Sequence, residues 1–301
     1  MATIKQWITA FRLRTLFLAV ATVVLGSGLA WHEGLFSSST LLLATLLAVS
    51  IQILANLAND LGDYQKGTDI TGRRQGPSRA LQSGNISPRE MKGAIVVFVA
   101  ICVAAGLTLV LHEEAFRDGL SAGVLIGLGA LCILAALFYT IGKKAYGYKG
   151  WGDFFAFFFF GPVPVIGTYF LHTHTVGFQP VLPSISLGLI SSMILNINNM
   201  RDIENDRASG KITFAVRLGL PAAKKYHAAM TIVSFLCLAG YNILFESAPW
   251  YRYLYLLVFI IPFKILNDIR DKSDHQLDPY LKTTSLSGLL LALTFAVCIN
   301  L

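Results

Sequence analysis

The sequence predicts an all-α fold, a polytopic membrane bundle of about nine transmembrane helices, and three observations predict it. Hydrophobic residues make up 54% of the 301 positions and charged residues 14%, with a mean hydropathy of +0.61, a balance that soluble domains seldom reach. Apolar runs of about 20 residues, the length that crosses a hydrocarbon core of about 30 Å, recur along the whole chain. Lysine and arginine collect in alternate loops, as they do where one face of a membrane retains positive charge. The chain therefore reads as one integral membrane domain over residues 1–301, with no room for a separate soluble domain.

The spans fall at roughly 16–33, 38–59, 93–112, 119–142, 152–171, 180–200, 223–245, 250–267 and 282–300. One side then receives Lys5, Arg12 and Arg14, the loop from Lys66 through Arg73, Arg74, Arg79 and Arg89 to Lys92, and Lys143, Lys144 and Lys149. It also receives Arg201 to Lys225 and Lys264 to Lys282, while only Arg117 and Arg252 fall opposite. The rich side is expected to be cytoplasmic, in the cell (inner) membrane, with the N-terminus on it. The net charge of +7 thus sets orientation and calls for no nucleic-acid partner; the partner it implies is the lipid bilayer. No small-residue cleavage site follows the first basic stretch, so the first helix is expected to be retained. The four cysteines lie in apolar runs without a Cys-x-x-Cys pattern and read as packing residues.

Polar chemistry concentrates at helix ends. Arg12-Leu-Arg-Thr15 is a basic entry to the first span, either a topological anchor or an anion site at Arg12. The second span carries Gln52, Asn56 and Asn59 at spacings of four and three, a polar stripe that in lipid faces the bundle interior. It leads to Asp60 and Asp63, which share a helix face if the helix continues through them. The loop from Tyr64 to Lys92 is long, basic and glycine-containing, a candidate lid or binding loop. The third and fourth spans are rich in Gly, Ala and Ser, which predicts close helix packing, and the fourth ends in Tyr139-Thr-Ile-Gly-Lys143-Lys144. In the fifth, Phe154 to Phe160 precede Gly161-Pro-Val-Pro164, which must bend or interrupt the helix. Most of those rings are expected in core or lipid, with a few lining a pocket.

The sixth span repeats the second. It ends in Asn198-Asn199-Met-Arg201-Asp202, followed by Asp206 and Lys211, so that Asn59-x-x-x-Asp63 recurs as Asn198-x-x-x-Asp202. Two acidic mouths are thus expected on one side of the membrane. If the second and sixth helices are neighbours, Asp60, Asp63, Asp202 and Asp206 converge as oxygen ligands suited to Mg²⁺, which reaches substrate phosphates. Arg79, Lys143, Arg201 and Lys211 are placed to neutralise a diphosphate. A diphosphate at the mouth of an apolar bundle implies an amphiphilic substrate. The polar loop with Asp274 and Asp278 reads as solvated.

These pieces carry a resemblance. Arg12-Leu-Arg-Thr15, Asn59-Asp-Leu-Gly-Asp63, Gly67-Thr-Asp69, Gly76-Pro-Ser-Arg79, Gln82-Ser-Gly84, Tyr139-Thr140, Phe160-Gly-Pro-Val163, Gly167-Thr-Tyr169 and Asn198 through Asp206 to Lys211 resemble the membrane-bound aromatic prenyltransferase superfamily. The superfamily pattern expects a carboxylate at position 67; this chain has Gly67, then Asp69, as in the branch that acts on 1,4-dihydroxy-2-naphthoate in menaquinone synthesis. The resemblance implies transfer of a chain from polyprenyl diphosphate to 1,4-dihydroxy-2-naphthoate with loss of its carboxylate, giving demethylmenaquinone. It implies Mg²⁺ as cofactor, catalytic roles for Asp63, Asp202 and Tyr139, and substrate contacts from Asn56, Asn59, Asn198 and Asn199. Arg12 is left to either the acceptor carboxylate or the diphosphate, and Asp69 without a fixed role. The alternatives are another acceptor such as 4-hydroxybenzoate or, from a different class, an ion-coupled transporter, which would hold its ionisable groups near the bilayer midplane instead of at helix ends.

Overall fold

The computed structural model describes residues 2–301 other than 70, 72–74, 77, 113–115, 117, 118, 144 and 246–248. Arg73, Arg74, Pro77, Arg117 and Lys144 therefore lie outside the described residues. Thirteen α-helices follow one another among the described residues: α1 Ile4–Phe11, α2 Leu13–His32, α3 Ser38–Gln65, α4 Pro88–His112, α5 Leu120–Phe138, α6 Gly152–Phe159, α7 Pro162–Thr173, α8 Val181–Arg201, α9 Ile203–Ala208, α10 Phe214–Leu218, α11 Leu220–Phe245, α12 Ile260–Asp268 and α13 Asp278–Ile299. Eight stretches among the described residues are long and apolar enough to cross a membrane, which makes this a multi-pass membrane protein. The ninth expected span is present but broken, a 3₁₀ turn over Trp250–Phe259 running into α12. Pro262 is the cause at hand, since it has no N–H to donate to the preceding turn.

Two further departures have local causes. A short amphipathic helix, α1, precedes the first span, and the chain turns at Arg12, whose φ of 52° is left-handed. Thr3 caps α1 in a reciprocal capping box with Gln6. The α3 helix runs past the expected end at 59 to Gln65, so Asp60 and Asp63 are helical and 2% and 1% exposed. Gly67 ends it with a φ of +75°, a left-handed residue after the helix that explains why this position of the motif is glycine. The interruption expected near Gly161 is present, with Pro162 opening α7.

Four apolar clusters pack the bundle among the described residues, and two of them are the largest. One joins α2, α7, α8, α11 and α13 around Leu25, Tyr169, Met193, Tyr255 and Phe295; the other joins α1, α3 and α4 around Leu54, Leu57 and Met91. The α2–α13 pair is tight, because a Cβ on Gly28 would stand 2.5 Å from that of Ala296. The small residues of the third and fourth spans behave otherwise. A Cβ on Gly93, Gly106, Gly123, Gly127 or Gly129 would meet nothing within 4 Å, which corrects the expectation that these glycines serve close packing. Of α5, only Ala136 is buried.

Candidate active site

A cavity of about 990 Å³ lies between the two largest cores. Along α3 its wall runs from Ala44 to Asp63, about 28 Å at 1.5 Å per residue, most of the thickness of a hydrocarbon core. Its deep part is apolar, with Val23, Leu47, Cys102, Leu109, Leu125 and Leu171. Phe155, Phe159 and Phe160 line it, while Phe154 and Phe158 are exposed, dividing the phenylalanine run between cavity and lipid. Its mouth is polar: Arg12, Asn59, Asp60, Asp63, Arg79, Tyr139, Asn198, Asn199, Arg201 and Lys211 all border it.

The first acidic motif is held by the loop that follows it. Ala80 N–H donates to Asp60 Oδ2 at 3.2 Å, and Asp60 Oδ1 is buried without a hydrogen-bond partner. Arg79 pairs with Asp63, lies 3.4 Å from Asp69 Oδ1 and donates to Asn59 O at 3.0 Å. Burial works against the Arg79 charge, but Asp63, Asp69 and Asp60 outweigh it and hold the guanidinium protonated. Gln82 Nε2 donates to Asp69 O at 2.8 Å, so the loop straps back over the end of α3. Gly76 brings it onto the second motif: a Cβ there would lie 2.6 Å from Arg201 Nη2, a close approach only glycine allows.

The second motif is tied differently. Arg201, in the last turn of α8 and 2% exposed, binds Asp202 Oδ2 at 2.6 Å, Asn198 Oδ1 at 2.9 Å and Asp278 Oδ1. Asp278 also meets Arg14 at 3.4 Å; it is a member of this network, which corrects its reading as a solvated loop residue. Lys211 Nζ stands 3.6 Å from Asp206 Oδ1, and Asp206 Oδ2 is buried without a hydrogen-bond partner. Burial pushes the Asp206 carboxyl up to about 6. It also works against the Lys211 charge, but Asp206 and Asp63 hold that ammonium protonated.

Asn56 lines the cavity, with its amide engaged in holding the chain. Asn56 Nδ2 donates to Phe11 O and Thr15 Oγ1, both at 2.9 Å, and Asn56 Oδ1 accepts from Gln52 at 3.1 Å. The polar stripe of α3 thus pins the turn that presents Arg12. Asp202 and Asp206 stand outside the cavity wall, and so does Lys143, which is exposed. Tyr139 is on the wall; burial raises its phenol well above the usual range, so it stays neutral.

Two residues escape the sequence reading. Tyr148 donates to Asp63 Oδ1 at 2.6 Å, meets Thr68 Oγ1 at 2.6 Å, and lies under the ammonium groups of Lys66 at 4.2 Å and Lys211 at 5.6 Å. Its carbonyl accepts from Ile212 N–H at 3.1 Å, so one residue bridges both motifs. Only the Tyr-x-Tyr-Lys spacing beside a basic loop hinted at it. Asp153, in the first turn of α6 and 7% exposed, has no hydrogen-bond partner for either carboxylate oxygen; nothing in its local sequence marks it.

The donor set can be tested against Mg²⁺ on these atoms. Among the described residues no three His, Cys, Asp or Glu side chains form a metal cage; Mg²⁺ seldom uses one, taking one or two carboxylates plus waters and substrate phosphates. Buried, unpartnered oxygens on Asp60 and Asp206 supply hard ligands of that kind, one in each motif, and the residues fit.

A membrane bundle with a deep apolar cavity, opening onto paired acidic motifs among buried cations, has the build of an enzyme for an amphiphile with an anionic head. The chain belongs to the UbiA prenyltransferase family, whose model matches residues 19–297. It is 40% identical over 299 residues to the 1,4-dihydroxy-2-naphthoate octaprenyltransferase of Escherichia coli (strain K12), covering 99% of this chain and 96% of that one. The protein of the same name from Haemophilus influenzae is 37% identical, over 98% of this chain and 95% of its own. In fold the chain is similar to a UbiA homolog from Archaeoglobus fulgidus solved bound to GPP and Mg²⁺, with a TM-score of 0.67 at 14% identity, covering 98% of this chain and 100% of that one.

Proposed function

We propose that this protein transfers a polyprenyl chain from polyprenyl diphosphate to 1,4-dihydroxy-2-naphthoate, with loss of the acceptor carboxylate, giving demethylmenaquinone. The observation that carries the reading is one cavity about 28 Å long, with a charged mouth and an apolar deep part, which accepts both ends of such a substrate; the naphthoate branch rests on the full-length relatives. The mouth faces the cytoplasm from a cell membrane, in keeping with the basic loops around it.

Asp60 and Asp63 on α3, with Asp202 and Asp206 beyond α8, would hold Mg²⁺. When bound, it draws negative charge from a departing diphosphate. Arg79 and Lys211, which stand on Asp63 and Asp206, are the cations that would meet the phosphate oxygens and stabilise the charge left as the allylic C–O bond breaks. Asn59, Asn198 and Asn199 orient the head group. The neutral Tyr139 ring presents an aromatic face to the allylic cation, which the electron-rich naphthoate carbon attacks. Arg201, saturated by Asp202, Asn198 and Asp278, fixes the second motif, and Arg12 addresses the acceptor carboxylate or the diphosphate.

Membranes containing the protein, supplied with a polyprenyl diphosphate, Mg²⁺ and a panel of acceptors, are expected to form prenylated naphthoquinol, read by mass spectrometry. Transfer to 4-hydroxybenzoate and never to dihydroxynaphthoate would reject the acceptor. Asp63→Ala and Asp202→Ala are expected to insert normally and lose turnover; near-normal Mg²⁺-dependent activity in either would reject the carboxylate roles.

A further inference from the structure

The part of the cavity away from its charged mouth has an unusual wall. Val23, Ala44, Leu109, Val110 and Leu171 line it and also belong to one packed apolar cluster with Phe116, which forms its floor. Between this floor and the mouth, three helices each turn a glycine to the cavity: Gly106 of α4, Gly129 of α5 and Gly167 of α7. A Cβ at any of them would meet nothing within 4 Å. A helix-interior glycine costs stability relative to alanine, and here neither a left-handed backbone nor close helix packing requires it. What the missing side chains leave is room in the cavity. The same cavity carries at its mouth the buried, unpartnered Asp60 Oδ1, so one space joins the polar end to the glycine-lined end.

We infer that Gly106 and Gly129 set the length of prenyl chain this protein accepts, by keeping the far half of the cavity wide enough for the distal isoprene units. The inference rests on the proposed prenyl diphosphate substrate and adds which residues select among its members. A short prenyl tail ends before these glycines, and a long one passes between them. A large side chain at either position therefore blocks the long substrate and leaves the short one.

The test compares wild type with Gly106→Phe and Gly129→Phe on geranyl and octaprenyl diphosphates. The control is Gly123→Phe, which adds the same ring to α5 at an exposed position off the cavity wall. The two cavity variants are expected to lower kcat/KM for octaprenyl diphosphate roughly tenfold or more relative to geranyl diphosphate, the scale at which a filled pocket discriminates. The control is expected to keep the wild-type ratio. Thermal stabilisation of each protein by the two diphosphates, without acceptor, is expected to show the same loss for the long chain alone. This readout needs no turnover, so an inactive wild type would reject the proposed reaction while still reporting on the cavity. An unchanged long-to-short ratio in both cavity variants, or an equal shift in Gly123→Phe, overturns the inference. Should phenylalanine prevent insertion, Gly106→Leu and Gly129→Leu carry the same comparison.

Discussion

Tyr148 joins two segments that the chain separates by more than a hundred residues. Its phenol donates to Asp63 and its ring lies under Lys66 and Lys211, so Tyr148→Phe keeps the ring and removes the hydroxyl. Losing a hydrogen bond to a charged group costs about 1.5–3 kcal/mol. Steady-state kinetics are expected to show a raised KM for the prenyl diphosphate with the acceptor KM unchanged; equal changes in both would mark a role in folding alone. The site is legible in the sequence where its residues share a helix: Asn59, Asp60 and Asp63 follow helical spacing, and the pattern recurs at Asn198 and Asp202. It is illegible where partners arrive from distant segments, as Tyr148 does to Asp63 or Asp278 to Arg201. Spacing also cannot say which side chains are already engaged, which is why Asn56 proves to hold the Arg12 turn.

Among the elements, α13 supplies an anion to the second motif. Asp278, in its first turn, takes charge from both Arg201 and Arg14, while Ser285, about two turns on, donates to Arg14 O at 2.8 Å. Asp278→Ala removes one of the anions facing an almost fully buried guanidinium, at a cost of about 1–3 kcal/mol. Thermal unfolding of the purified protein is expected to shift down by that amount, and Asp278→Asn, which keeps one acceptor, to recover part of it. The long spans were readable because lipid demands about 20 apolar residues. The left-handed turn at Arg12 was not, since the side chain that holds it, Asn56, arrives from α3. The glycines of α4 and α5 misled for a related reason: composition cannot distinguish a glycine that admits a neighbouring helix from one that admits space.

At the scale of the molecule, the two largest cores flank the cavity, and α5 buries only Ala136 in them, with Ile133 and Leu137 packed alongside. About half the side chains of this helix are exposed on the outside of the bundle, so its order draws on lipid. Hydrogen–deuterium exchange in detergent is expected to be faster in α5 than in α3 or α8, and to slow in a lipid bilayer; equal protection of all three in detergent would contradict this. Over that stretch the partition between reacting chain and membrane is a single helix thick. The bilayer is in that sense a structural subunit of the enzyme, and stripping it away leaves one wall of the reaction vessel without its backing while the others keep theirs.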